Sequence, residues 1–514
     1  MFSKVKSCAV HGVDGRMIDV EADVNDGLPV FTMVGYLSSS VRESSERVRT
    51  ALKNSGFHLP PKRITINLSP ADMRKDGSGY DLAIATAVLL SLGVTAELPM
   101  EQTLVLGELS LDGSIKAIPG VLPMVICARE EGMTSCIVPK ENVQEAALVQ
   151  GISVIGVSSL KETMEYIQGI KEYENTNVEQ PAVDTSEYLY DIDFSDVVGQ
   201  ESIKRGMEIA AAGFHNVLLT GAAGAGKSML AKRLPTILPQ MSFEESLEVT
   251  KIYSVGGMLP PEGGLIHRRP FRAPHHTISE YALIGGGRVP TPGEVSFAHY
   301  GVLFLDELPE FSKPVLEVLR QPLEERRIRI SRVQASYEFP ADFMFVAAMN
   351  PCPCGNYPDY RRCSCTEQQI RRYQSKVSGP LLDRIDIRME VKGVKQEALF
   401  SKQKTESSKT IRARVEQARQ MQKERFAGTG LLFNSQLDGK NLEEYITLSE
   451  EGKRLVLQLF EEQELSVRGV HRVLKLARTI ADLAGSEEIE HAHLQEAAFY
   501  RNQDVFAKEV LHGN

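Results

Sequence analysis

The chain has 514 residues, 42% of them hydrophobic and 25% charged, with a formal net charge of −10. This length is too great for one compact core and predicts two to four domains. The acidic balance excludes a polyanion-binding surface spread over the whole chain but leaves room for a local basic one. No window carries the long uncharged apolar run of a membrane helix, and the N-terminal MFSKVKSCAVHGVDG lacks a signal peptide's apolar core. A cytoplasmic protein with reduced cysteines is expected.

Residues 1–170 alternate short β-branched runs with helical segments. ITINLSP (Ile64–Pro70) and TLVLGELSL (Thr103–Leu111) read as strands, and DLAIATAVLLSLG (Asp81–Gly93) as a buried helix closed by glycine. Residues 171–191 are acidic, polar and without apolar periodicity, which predicts a linker. From 192 to 393 the pattern becomes strand–loop–helix. HNVLLTG, GVLFLDE and FMFVAAMN contain continuous apolar strands suited to a parallel sheet covered on both faces, so the fold class is α/β. Residues 394–514 read as helical. In SVRGVHRVLKLARTIADLAG, Val470, Val473, Leu474, Ala477, Ile480 and Ala481 recur at helical spacing. Lys409–Phe426 is a basic helix with an expected solvated face.

GAAGAGKS, Gly221–Ser228, follows a strand and opens a helix, the context in which this glycine-rich pattern cradles phosphates. Gly221, Gly224, Ala225 and Gly226 would let backbone N–H groups wrap the phosphates. Lys227 would reach the β/γ-phosphates, and Ser228 would ligate Mg²⁺. Asp306, at the end of the apolar run Val302–Leu305, is the expected second Mg²⁺ ligand, and Glu307 the group that orients and deprotonates water. Asn350, ending the next apolar strand, could hold the attacking water or the γ-phosphate; a turn residue before Pro351 is the alternative. The expected cofactors are ATP and Mg²⁺.

Four of the seven cysteines, Cys352, Cys354, Cys363 and Cys365, fall in PCPCGNYPDYRRCSC. Four thiolates on a tight loop can close a tetrahedral, structural Zn²⁺ site; unmetallated thiols are the alternative. Such a metal clip would stiffen the loop between the strand that ends at Asn350 and the segment containing Arg384. Cys8, Cys127 and Cys136 read as core residues.

The segments VVGQE (Val197–Glu201), FRAPHHTIS (Phe271–Ser279), PGEVSFAHYGVLFLDELPEF (Pro292–Phe311), AAMNPCPCG (Ala347–Gly355) and SGPLLDRID (Ser378–Asp386) together resemble the magnesium-chelatase-like AAA+ ATPases of the ComM/YifB type. The resemblance runs over essentially the whole chain. It implies an AAA+ core with a C-terminal helical lid, and a nucleotide-binding set that adds Val198 and Met229 to the phosphate loop. It also implies an arginine finger at Arg384, presented to a neighbouring subunit, and a sensor arginine at Arg468. Each would stabilise charge that develops on the γ-phosphate; an ion pair of Arg384 with Asp383 or Asp386 is the plainer alternative. A finger acting in trans requires a homo-oligomeric ring, by family habit a hexamer.

EERRIRISRVQ (Glu324–Gln334) resembles the pre-sensor hairpin of minichromosome-maintenance helicases. That likeness implies DNA gripped by Arg326, Arg329 and Arg332 through phosphate charge; a solvated basic strand edge is the alternative. RKDGSGYDLAIATAVLLSLG and the segments after it resemble the proteolytic domain of Lon. Here, however, Gly79 stands where the family has its serine and Met124 where it has its lysine, so a non-peptidase scaffold is expected. A residual dyad of Ser78 with Lys75 or Lys116 is the alternative. The expected activity is ATP hydrolysis coupled to DNA remodelling of the helicase or branch-migration kind, in recombination or natural transformation. A chelatase-type motor subunit and a protein-remodelling ATPase are the rivals. His275 and His276 receive no role.

Overall fold

The computed structural model describes residues 1–171, 190–260, 264–332, 335–393, 405–462 and 465–502. The predicted linker therefore lies almost wholly outside the described residues, as do 394–404 and 503–514 of the helical C-terminal part.

The N-terminal part is built on a seven-stranded mixed sheet. Its strand order is Val30–Val34, Arg63–Ser69, Asp14–Asn25, Phe2–His11, Thr103–Val105, Ser135–Pro139, Ser153–Val157. Along Asp14–Asn25 and Arg63–Ser69 buried residues alternate with half-buried ones, as a sheet with one packed face requires. The helix Asp81–Ser91 is apolar on every side and is buried almost throughout, packing on the two central strands. The single strand predicted over Thr103–Leu111 is a correction: it breaks into Thr103–Val105 and Glu108–Leu109. Gly107 between them has φ +155°, and a Cβ there would press on Leu82 and Ile115. The second piece turns away to pair with Ile115–Lys116.

The central part carries a five-stranded, all-parallel sheet in the order Phe271–Arg272, Val302–Leu305, Met344–Met349, Val217–Thr220, Ile387–Glu390. The three middle strands are wholly buried, which explains their unbroken apolar sequences. The first strand in sequence lies between the fourth and the fifth. Its following loop therefore emerges at the carboxyl edge of the sheet, beside the end of Met344–Met349, where α/β sheets bind ligands.

The C-terminal helices Ser408–Arg425, Gly439–Tyr445, Glu450–Glu462, Val467–Leu483 and His491–Asn502 share one hydrophobic core with the helix Glu201–Gly213 and the sheet. The helix Ser408–Arg425 has the expected solvated face, with Lys409, Gln420 and Lys423 exposed, and docks by the other: Ile411, Val415, Ala418, Arg419 and Gln422 are buried. Arg419 lies 4.0 Å over the Phe433 ring, and Gln422 donates to the Ala212 carbonyl at 2.9 Å. Arg414 pairs with Glu208 and Glu406, and Arg425 with Asp482, while Lys409 and Lys423 stay exposed. No described helix is long and apolar enough to cross a membrane.

Candidate active site

Glycine is needed in the loop Gly221–Ser228 for two different reasons. Gly224 and Gly226 take φ of +78° and +97°, left-handed values that a side chain disfavours. At Gly221 the constraint is space: a Cβ would sit 2.2 Å from the Val391 carbonyl oxygen on the neighbouring strand. The loop then opens the helix Lys227–Arg233 and lines a cleft of about 300 Å³ with Met229, Asp306, Glu307 and Asn350. Val198 does not line this cleft. Its segment reaches the same sheet edge, where Gln200 donates to the Lys392 carbonyl.

The Lys227 ammonium donates to the carbonyls of Gly221 (2.6 Å) and Ala222 (2.9 Å) and to Asn350 Oδ1 (3.0 Å). Burial lowers its pKa, against the pull of Asp306 and Glu307. All three acceptors are neutral, so phosphate oxygens would be stronger partners for the cation. Ser228 Oγ donates to Asp306 Oδ2 at 2.6 Å. A hydroxyl and a carboxylate side by side are the hard oxygen donors that Mg²⁺ takes together with phosphate. The residues present thus fit ATP and Mg²⁺: Lys227 and the loop amides would hold the phosphates, and Ser228 and Asp306 the metal, which supplies charge neutralisation.

Glu307 takes φ +53°, unusual for a residue with a side chain, and its N–H donates to Asp306 Oδ1 at 2.9 Å. The turn leaves its carboxylate more than half exposed, 3.8 Å from His276 Nδ1. His276 is thus a site residue that sequence reasoning missed. Its only signal was position in FRAPHHTIS, because the contact closes through the fold. Its ring lies against His275, with centroids 4.0 Å apart, and meets Phe311 edge-on.

Neither Arg384 nor Arg468 lines the cleft. Arg384 precedes the strand Ile387–Glu390, which pairs in parallel with Val217–Thr220. It therefore sits at the amino edge of the sheet, about 13 Å of strand away from the phosphate loop. It is buried, donates to the Pro380 carbonyl at 2.5 Å and is paired with Glu324, while its Nε has no partner among the described residues. Asp386 is committed elsewhere, to Arg472 at 2.5 Å and to the Asn216 amide at 3.0 Å. Arg384, with Arg468 and Arg320 adding smaller pulls, holds the Glu324 carboxyl below its usual range. Arg468 is exposed and belongs to this edge.

The four cysteines of the cluster converge. Sulfur–sulfur distances are 3.4 Å (Cys352–Cys354), 3.6 Å (Cys354–Cys363) and 3.8 Å (Cys352–Cys363), and all four sulfurs lie within 4.8 Å of one another. Four sulfurs at ~2.3 Å from one Zn²⁺ would stand ~3.8 Å apart, so the thiols fit that ion. The Tyr357 amide donates to Cys352 Sγ, and the backbone N–H groups of Asn356 and Ser364 pull the Cys354 thiol down to about 6. This loop rests on the phosphate loop: a Cβ added to Gly355 would be 3.4 Å from the Ala223 nitrogen.

Glu324 precedes the hairpin of Arg327–Ser331 and Ser336–Pro340. Arg326, expected among the DNA-facing set, is instead held at the hairpin base by Asp342 (2.7 Å) and the Ser435 carbonyl (3.0 Å). Arg329 shares Glu338 with Arg327, at 3.0 and 3.1 Å. Arg332 is exposed, and among the described residues its guanidinium donates to the Gly287 carbonyl, at 3.0 Å. Val333 and Gln334 lie outside the described residues.

The chain matches three family models in succession: "Subunit ChlI of Mg-chelatase" over residues 20–142, "Magnesium chelatase, subunit ChlI" over 193–399, and its C-terminal model over 405–501. It is 40% identical over 503 residues to the competence protein ComM of Haemophilus influenzae, covering 97% of each chain. The chain belongs to the magnesium-chelatase-like ComM/YifB family. The uncharacterized protein YifB of Escherichia coli is 41% identical over 504 residues, 98% of this chain and 97% of that one. Lon protease 2 of Bacillus subtilis is 30% identical over 183 residues, 32% of either chain. Membership of this AAA+ family, together with the cleft described above, makes ATP and Mg²⁺ the ligands implied for Lys227, Ser228 and Asp306.

Proposed function

We propose that this protein is an ATP-hydrolysing motor that works as a homo-oligomeric ring, in hexameric form, on DNA. The reaction is helicase-like remodelling of the branch-migration kind. The observation that carries the reading is the separation of the machinery over two sheet edges. Lys227, Ser228, Asp306, Glu307 and Asn350 gather at the carboxyl edge, while Arg384 and Arg468 stand at the amino edge. A chain so divided supplies its arginines to another copy's nucleotide, not to its own. Glu307, steered by His276, takes the proton of the attacking water. The incoming Arg384 meets the charge that builds on the γ-phosphate.

DNA is favoured as the substrate by Arg332, a cation on a hairpin without a carboxylate partner among the described residues, and by the name of the competence relative. The N-terminal part serves as scaffold. Ser78 is bonded to Glu108, and the buried Lys75 is bonded to the Pro70 and Met73 carbonyls instead of to Ser78. Gly79, Met124 and Ser78 face one cavity in which no lysine stands, among the described residues. The four cysteines would hold Zn²⁺, which would stiffen the loop that rests on the phosphate loop.

The deciding assay measures ATP turnover with forked and four-way DNA, for wild type and Arg332→Ala. Stimulation by DNA that weakens with salt and falls in the variant supports the motor. Turnover indifferent to every DNA structure leaves the chelatase-type or protein-remodelling readings in its place.

A further inference from the structure

Two hairpins and one loop of the N-terminal part enclose an open cleft of about 800 Å³, lined by Arg74, Tyr281, Arg288 and Arg332. Its parts come from distant stretches of chain. Arg332 ends the strand Arg327–Ser331 and donates to Gly287 in the neighbouring tight hairpin, in which Gly285 and Gly286 pair with Pro292 and Thr291. Arg288 sits exposed on that second hairpin and has no carboxylate partner among the described residues. The N-terminal part docks against the first hairpin through His11, whose ring meets Tyr337 at 4.5 Å and whose Nε2 is 3.2 Å from the Ser336 carbonyl oxygen. This docking brings in Arg74. Its backbone is anchored by the adjacent Lys75, whose amide donates to the Tyr36 carbonyl at 2.9 Å and whose side chain is wholly buried. Arg74 is half-buried and keeps an ion pair with Asp76 at 3.1 Å.

Tyr281 adds an aromatic face. Its side chain is 69% exposed, and its ring stands close to Gly286, where a Cβ would come 2.8 Å from Cδ1. An exposed ring held in place beside three guanidinium groups offers a stacking surface next to phosphate-binding charge. That combination is the chemistry of single-stranded nucleic acid, in which every base has a π-face and every link a negative charge.

We propose that this cleft holds a single DNA strand, with one base stacked on Tyr281 and the flanking phosphates held by Arg74, Arg288 and Arg332. The inference rests on the DNA reading above and extends it: the N-terminal part is one jaw of the grip, beyond its part as scaffold. The docking also has a mechanical consequence. Movement of the Arg332 hairpin relative to Arg74 would open or close the grip on the strand.

The test is binding of a fluorescent oligo-dT strand to the full-length protein with Mg²⁺ and a non-hydrolysable ATP analogue, across a salt series. Arg74→Ala and Arg288→Ala should each weaken binding and lower the salt slope by ~0.7, the value of one phosphate contact on a single strand. Tyr281→Ala should weaken it by about five- to a hundredfold and Tyr281→Phe should restore it. Asp76→Asn separates binding from folding, since it breaks the ion pair but frees Arg74. Binding kept or tightened in Asp76→Asn supports the grip, whereas a loss equal to that of Arg74→Ala assigns Arg74 a structural role and overturns it. Wild-type affinity in both Arg74→Ala and Tyr281→Ala overturns the cleft while leaving the DNA reading intact. A wild-type protein that binds no strand overturns both.

Discussion

The hydroxyl of Ser228 donates to Asp306 across 2.6 Å, joining the loop after one core strand to the end of another two places away in the sheet. The two proposed metal ligands are therefore brought together by the sheet order. Glu307, the proposed proton acceptor, follows one residue later, on a left-handed turn.

Replacing Glu307 by Gln keeps the shape of this turn but removes the base. ATP affinity should stay close to wild type while turnover falls ~100-fold or more, the usual weight of a positioned proton acceptor. Equilibrium nucleotide binding and steady-state phosphate release check the two halves separately. Equal turnover in Glu307→Gln would take the proton-transfer role from this residue.

Arg384→Ala should abolish turnover in the assembled protein, by ~10³-fold or more, without lowering nucleotide affinity. The informative experiment mixes it with Lys227→Ala. Each variant alone should be inactive. A mixed ring places an intact phosphate loop beside an intact Arg384 at some interfaces, so activity should return. No recovery on mixing, in rings shown to exchange subunits, would contradict supply in trans.

The cysteine cluster predicts one Zn²⁺ per chain in protein purified without a metal-affinity tag, measured by elemental analysis. Because zinc binds thiolates, acid competes with it, and the metal should be released progressively as pH is lowered. Cys354→Ser should lose the metal and, through the contact of Gly355 with the Ala223 backbone, loosen the phosphate loop and raise the Kd for ATP. A zinc-free protein with a stable fold would remove this element.

Asp386 supplies an acid-sensitive clamp between the sheet and the helical C-terminal part. Burial alone would raise its pKa, but Arg472 and His215 reverse that and hold it well below the usual carboxylate range. Its folded pKa is depressed, so its contribution is complete above the unfolded value of ~3.9 and is lost as pH falls below it. Asp386→Asn leaves the Arg472 charge poorly matched and should cost about 3 kcal/mol at neutral pH. Urea unfolding followed between pH 7 and pH 3 should show the variant's deficit constant down to about pH 4 and shrinking below.

The phosphate loop, the paired acids after Val302–Leu305 and the four cysteines were legible in the sequence because each obeys a local rule. Positive φ needs glycine, a buried parallel strand needs an unbroken apolar run, and a metal clip needs ligands close along the chain. The break at Gly107 escaped because period-two reasoning sees apolar residues and not the φ that a packed neighbour imposes. Charge alone misread Arg326, since a cation's role depends on which carboxylate or carbonyl the fold brings to it.

By itself the sequence determined the family, the α/β class and the chemical groups of the nucleotide cleft. Tertiary structure alone decided that Arg384 stands at the far edge of the sheet, that His276 meets Glu307, and that Arg74 joins the hairpins of Arg288 and Arg332. The physical reason is common to all three. Strand order and domain docking set these distances, and both arise from long-range burial of apolar faces, which leaves no signature in the spacing of the residues it brings together.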